Sequence, residues 1–237
     1  MCQKKILILF DIDGTLIKFK SGTAGKIFSD IMEEIFQVKI DKNNLPDFAG
    51  QTDLKILKEI CEINNISFTS VLANINEVWN KMLLLFGKYC TTDYILLLDG
   101  VPELLNTLSK EKNITLGLLT GNFQENAYQK LRTYNLHNFF SFGAFGSDDE
   151  DRSKLPPLAI ERANKLNKQD VFSNENTIII GDAPRDISCA RANNIKVASV
   201  ATGNFSFIEL EKYKPDLLFD NFKNYISVSR SLCQLIQ

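Results

Sequence analysis

The chain has 237 residues, 44% of them apolar and 24% charged, the balance of an ordinary globular protein long enough for one large domain or two modest ones. Its 27 basic and 29 acidic residues give a formal charge of −2, which leaves no global basic footprint for nucleic acid. Apolar runs such as Ile6 to Phe10, Leu83 to Phe86 and Ile95 to Leu98 are too short to cross a bilayer or to form a signal-peptide core, so no membrane association is expected.

In chain order, Ile6 to Phe10 is a continuous apolar run that ends in "DIDGTL", the pattern of a strand buried on both faces and closed by a turn. From about Lys18 to Thr92 the rhythm is helical, with amphipathic segments at Ile27 to Phe36, Leu54 to Ile63 and Val71 to Phe86 and no convincing strand. Polar residues and glycine interrupt the apolar pattern near 18–23 and 91–99, which predicts joints there. The expected division is a core of residues 1–17 and 93–237 with an inserted helical domain at 18–92. Helices are predicted at Pro102 to Ser109 and Gln124 to Tyr134, and further strands at Ile114 to Leu119 and within "TIIIG", "IKVASV" and "PDLLFDN". Strands alternating with helices imply βαβ units, so the fold class is α/β, a doubly wound parallel sheet carrying an all-helical insert.

Ligands of open α/β sheets bind beyond the carboxyl ends of the strands. Three predicted strands end in Asp11, Thr120 and Asp182. If the strands are neighbours, one sheet edge receives all three, together with Asp13. Residues two apart on a strand point the same way, so Asp11 and Asp13 share a face. An Asx-type turn followed by a helix cap would use the same residue types at the first strand.

"DIDGTL" at 11–16, "LLTGN" at 118–122 and "GDAPRD" at 181–186, in this order and with a helical insert after the first, resemble the haloacid dehalogenase superfamily. The insert resembles the cap of its phosphoglycolate phosphatase-like branch. The resemblance implies a Mg²⁺-dependent phosphatase acting on a small phosphorylated metabolite through an aspartyl-phosphate. It makes Asp11 the nucleophile and Asp13 the general acid and base. Mg²⁺ would sit among Asp11, the backbone carbonyl of Asp13 and Asp182, with Asp186 orienting its waters. Thr120 and the Gly121 amide would hold phosphoryl oxygens, and Asn122 would border the substrate. A fixed cation is also implied. Many relatives show Lys followed by Pro at this point, whereas this chain reads "DDEDRSKLPP", so both Arg152 and Lys154 are candidates, with Arg152 preferred. In the insert, Gln51 or Thr52 would reach the substrate, unless Thr52 or Asp53 only caps the helix that follows. A sugar phosphomutase of the β-phosphoglucomutase type shares the core residues, and a catalytically silent binding module would keep the fold.

The remaining residues support blander expectations. His137 reads as a packing or capping residue, Trp79 as core of the insert, and Asp148 to Asp151 as a solvated loop. Cys2, Cys61, Cys90, Cys189 and Cys233 form no C-x-x-C pair and no zinc spacing, which predicts reduced thiols in a cytoplasmic protein. Neither the particular substrate nor the oligomeric state is encoded legibly.

Overall fold

The computed structural model describes residues 4–20 and 22–236. Cys2, and Ser21 within the predicted 18–23 joint, lie outside the described residues.

The first apolar run forms β1 (Ile6–Phe10), buried along its whole length. Its side chains alternate between two cores. Ile6, Ile8 and Phe10 enter one apolar cluster, and Leu7 and Leu9 enter another on the opposite sheet face. A strand with no solvated face belongs inside a parallel sheet, and β1 lies between β4 (Ile114–Leu119) and β6 (Thr177–Gly181). The six-stranded order is β5-β4-β1-β6-β7-β8, with every pairing parallel. The outer members are β5 (Gly143–Ala144), β7 (Lys196–Val200) and β8 (Leu217–Phe219). Phe10 stands in register with Leu118 on one side and Ile180 on the other. The three chains therefore leave the sheet at the same level, and residues 11, 120 and 182 emerge together.

Between β1 and β4 the chain makes an excursion. It departs through β2 (Ile17–Phe19) and returns through β3 (Ile95–Leu97), which pair antiparallel with Ile17 opposite Leu97 and Phe19 opposite Ile95. Only Lys18 and Phe19 of this pair fall within 18–92, so the expected all-helical segment is corrected at its first two residues alone, and β3 lies in the predicted 91–99 joint. At three residues each the two strands are too short to show any periodicity. The excursion itself holds α1 (Thr23–Phe36), α2 (Asp53–Ile63), α3 (Phe68–Ala73) and α4 (Ile75–Tyr89). Ile27, Ile31, Ile56, Leu57, Val78 and Met82 from these helices form an apolar cluster separate from the two that sandwich the sheet. The predicted helix over 71–86 is two helices, broken at Asn74 with φ −111°. Its side-chain amide bonds the Ser70 carbonyl at 2.8 Å, the local competition that makes Asn a poor helix-interior residue. After β3 come α5 (Val101–Ser109), α6 (Gln124–Arg132), α7 (Leu155–Asn167), α8 (Pro184–Ala192), α9 (Phe207–Glu211) and α10 (Tyr225–Leu235). Among the described residues no helix is long and apolar enough to cross a membrane.

Candidate active site

Asp11 follows β1 and is almost fully buried. Its backbone N–H donates to the Ile180 carbonyl at 2.9 Å, so sheet pairing continues one residue beyond the strand and fixes where the carboxylate starts. Asp182, after β6, and Asp186, in the first turn of α8, are also buried. Carboxylate oxygens of Asp11, Asp182 and Asp186 lie within 4.8 Å of one another. Arg152 enters this group from the turn before α7. Its Nη2 donates to Asp186 Oδ1 at 2.5 Å and to the Leu119 carbonyl at 3.1 Å, and lies 3.2 Å from Asp11 Oδ1. Burial lowers the basicity of the guanidinium, but Asp186 and Asp11 outweigh it and raise its pKa.

Three acids around one arginine leave negative charge uncompensated. Burial pushes the Asp11 carboxyl up to about 6 against the pull of Arg152, with Asp186 and Asp13 adding to the rise. Asp182 is raised well above the carboxylate range by burial and then by Asp186, Asp11 and Asp13. Among the described residues its carboxylate receives one hydrogen bond, from the Thr15 hydroxyl at 3.3 Å. Gly14 presses against the same carboxylate. At its φ of +84° a Cβ would come within 2.3 Å of Asp182 Oδ2, so this turn demands glycine twice over. An oxygen-only donor set with an unmatched buried carboxylate suits a hard divalent cation. The acidic residues thus fit a resident metal ion.

Asp13 takes a different environment. Its Oδ2 accepts from Asn122 Nδ2 at 2.7 Å and from Lys130 Nζ at 2.7 Å. Lys130 also donates to Asn122 Oδ1, and Asn122 Nδ2 reaches Thr120 Oγ1 at 2.8 Å. Lys130 is only 4% exposed. Its ammonium lies over the rings of Phe19 and Phe86, at 5.1 and 4.9 Å, so residues of the excursion bury a cation donated by α6. Sequence reasoning missed Lys130, because a lysine near the end of a polar helix reads as a solvated one. In the sequence Asp53 reads as a possible cap of the helix that follows. Its Oδ2 accepts from the Phe123 N–H at 2.7 Å, and burial pushes its carboxyl up to about 6 despite Lys130 and that hydrogen bond.

Asp11, Asp13, Thr120, Gly121, Asn122, Arg152 and Asp182 line one cavity of about 180 Å³, as do Lys130, Asp53 and Gln51. The helical segment approaches closely. The Asp53 N–H donates to the Gly121 carbonyl at 2.7 Å, and a Cβ on Gly121 would fall 1.7 Å from the Gln51 carbonyl oxygen. The structure separates the remaining candidates. Lys154 lies on the surface, its side chain 62% exposed and paired with Asp149 at 3.2 Å, so only Arg152 of the two faces the acids. Thr52 does not line the cavity. Its hydroxyl accepts from Lys55 N at the start of α2 and donates to the Glu150 carbonyl at 2.7 Å. Gln51 lines the cavity, but its side-chain amide is held by the Asp47 carbonyl and Glu59 at 2.7 and 2.9 Å. Trp79 stacks on Phe123 at 4.6 Å and thus joins the excursion to the sheet domain rather than serving only as interior packing. The acidic run is consumed by caps and ion pairs, including a two-pronged contact between Asp148 and Arg162 at 2.6 and 2.8 Å. Cys61, Cys90, Cys189 and Cys233 are free thiols.

The family model for haloacid dehalogenase-like hydrolases matches residues 8–200. The chain belongs to that family. Pyrophosphatase PpaX of Oceanobacillus iheyensis is 24% identical over 93% of this chain and 95% of its own length. A phosphoglycolate phosphatase of Colwellia psychrerythraea is 22% identical over 94% and 96%. The crystal structure of a hydrolase from Pseudomonas syringae superposes with a TM-score of 0.69 over 96% of this chain and 99% of that one, at 18% identity. For a haloacid dehalogenase-like hydrolase, the acids at the ends of β1 and β6 are thus the natural place to look for chemistry.

Proposed function

We propose that this chain is a Mg²⁺-dependent phosphatase that hydrolyses a small phosphate monoester through an aspartyl-phosphate on Asp11. The observation that carries the reading is the convergence of Asp11, Asp13, Thr120, Arg152 and Asp182 on one cavity at the carboxyl edge of the sheet. A silent binding module would need no second acid two residues after the first. Relatives named for pyrophosphate and phosphoglycolate hydrolysis support the same class of reaction.

In this mechanism an Asp11 carboxylate oxygen attacks phosphorus while the ester oxygen leaves with a proton from Asp13. Water then attacks the aspartyl-phosphate, gives its proton to Asp13 and releases Asp11. Protein hydrogen bonds to Asp13 fall on Oδ2, which leaves Oδ1 for the proton transfers. The Thr120 hydroxyl and the Gly121 amide bind phosphoryl oxygens. Arg152 keeps Asp11 in line with the reacting group and offsets charge as it develops. Asp11 and Asp182 would hold Mg²⁺ with Asp186 beside them, supplying positive charge against the repulsion between the phosphate and the carboxylate. Residues 18–92 act as a cap domain over a core of residues 1–17 and 93–237, and the contacts of Asp53 with Gly121 and Phe123 hold it shut.

The direct test is release of inorganic phosphate from a panel of monoesters. Release is expected with Mg²⁺, absent with a chelator, and independent of any bisphosphorylated sugar. Isomerisation of a sugar phosphate without phosphate release would move the assignment to the mutase. Lys130→Met gives a second test. Methionine fills the slot under Phe19 and Phe86 but cannot bridge Asp13 to Asn122, so kcat should fall by about 10²-fold, within the range for general acid–base assistance, with KM nearly unchanged. Unchanged kcat would remove Lys130 from the machinery.

A further inference from the structure

Arg152, Lys130 and Lys18 are cations that line the cavity. Two of them face carboxylates: Arg152 is held by Asp11 and Asp186, and Lys130 donates to Asp13 and to Asn122. Lys18 has neutral partners instead. Among the described residues it forms no ion pair, and its Nζ donates to the carbonyls of Gly203 and Thr202 at 2.7 and 3.2 Å. These carbonyls solvate the charge without offsetting it. An ammonium has three N–H donors, so one of them is left over. The loop that supplies the carbonyls is itself fixed. The Thr202 hydroxyl donates to the Gly14 carbonyl at 2.6 Å, and a Cβ on Gly203 would fall 1.6 Å from Asp182 Oδ2. Lys18 is thus anchored to a loop that abuts the acids, while it belongs to β2, the strand through which the chain leaves for residues 18–92.

In the proposed mechanism the transferred phosphoryl group is held at the sheet edge, so the rest of the substrate extends toward residues 18–92 and Lys18 stands on the leaving-group side. Other groups on that side offer less. Phe28, Ile56 and Phe86 line the cavity but are only 2 to 3% exposed. The Gln51 amide is committed to the Asp47 carbonyl and Glu59, and Asp53 is turned to the Phe123 N–H. A half-buried ammonium with a donor to spare gains a charge-assisted hydrogen bond from an anionic oxygen and nothing from a methyl group in the same place. We infer that Lys18 binds an anionic oxygen on the leaving group, a carboxylate or a further phosphoryl group, and so selects compact substrates that carry one. This rests on the phosphatase reading and goes further by assigning the residue that reads the leaving group.

The test compares the parent with Lys18→Met, which keeps an apolar stem and removes the charge. It measures kcat/KM with Mg²⁺ for phosphoglycolate and pyrophosphate against two references with uncharged leaving groups, ethyl phosphate and phenyl phosphate. Ethyl phosphate differs from phosphoglycolate only in having a methyl group where the carboxylate stands. In Lys18→Met the preference for at least one anionic substrate over the references should fall by about 10-fold or more, through KM, the scale of a charge-assisted hydrogen bond. A fall for phosphoglycolate alone assigns the site to a carboxylate, and a fall for pyrophosphate alone assigns it to a phosphoryl group. A smaller change in both preferences overturns the inference, as does an equal loss on all four substrates, which would make Lys18 only a tie between β2 and the 202–203 loop. Either result leaves the phosphatase assignment standing. Where the parent fails to turn over one group of compounds or all four, calorimetric titration of parent and variant makes the same comparison in Kd. A selective loss of about 10-fold or more in affinity for an anionic compound upholds the role of Lys18. A smaller loss, or no binding of either anionic compound by the parent, ends it. Absence of phosphate release from all four counts against the phosphatase reading alone.

Discussion

Asp11→Asn is expected to abolish turnover, by at least about 10⁴-fold or roughly 5.4 kcal/mol of transition-state stabilisation, while the chain stays folded. The substitution removes the oxygen nucleophile but almost nothing of the shape. The backbone N–H of residue 11 still has the Ile180 carbonyl, and Arg152 still has Asp186 and the Leu119 carbonyl. The charge that disappears is one that burial disfavours, with the carboxyl pushed up to about 6, so its loss relieves crowding in the metal-free protein. The melting temperature should therefore stay within about 4 °C of the parent, the shift that roughly 1 kcal/mol produces in a chain of this size. Mass spectrometry of acid-quenched protein should find phosphorylated parent and no phosphorylated variant. Substantial activity in folded Asp11→Asn would transfer the attack to another group, and Asp13 is the nearest candidate along the chain.

The core of this site was readable because β1, β4 and β6 are buried on both faces. Such strands appear as continuous apolar runs, and the residue that ends each run marks the sheet edge. Ile114–Leu119 has the boundaries expected from the sequence, and the register of Phe10 with Leu118 and Ile180 then brings the acids together. What was hidden depends on contacts between segments far apart in the chain. Lys130 is interior because Phe19 and Phe86 fold over it, and nothing in the local pattern of α6 signals that. Trp79 fits an amphipathic helix whether it packs inward or, as it does, stacks across on Phe123. Residues 51–53 show the same limit. The sequence identifies a glycine-containing loop before a helix, but Thr52 caps α2 while Asp53 turns toward the cavity, a choice made by the backbone's approach to Gly121. The strands β2 and β5, at three and two residues, are held by their neighbours rather than by their own pattern.

Arg152→Ala should be nearly inactive, losing about 3 to 4 kcal/mol of transition-state stabilisation by analogy with removal of a preorganised oxyanion donor. Lys154→Ala should remain within about twofold of the parent. The two residues are separated by one position, yet Arg152 is 8% exposed and joined to Asp11 and Asp186, whereas Lys154 is 62% exposed and pairs with Asp149. An exposed pair of that kind contributes about 0 to 1 kcal/mol. Removing the buried arginine has a second effect, because Asp11, Asp182 and Asp186 then face one another without it. Breaking a buried pair in this way costs about 3 to 5 kcal/mol of stability, so Arg152→Ala should also melt lower in the absence of Mg²⁺. Arg152→Lys separates the two losses. An ammonium restores the charge, and with it much of the stability, but a single point charge cannot reproduce the guanidinium contacts to Asp186, Asp11 and the Leu119 carbonyl. The expected order of kcat/KM is therefore parent and Lys154→Ala together, Arg152→Lys well below them, and Arg152→Ala lowest, measured at a temperature where each variant is folded by circular dichroism. A severe loss in Lys154→Ala with activity retained in Arg152→Ala would require the turn before α7 to rearrange when substrate binds, exchanging which of the two cations faces the phosphoryl group.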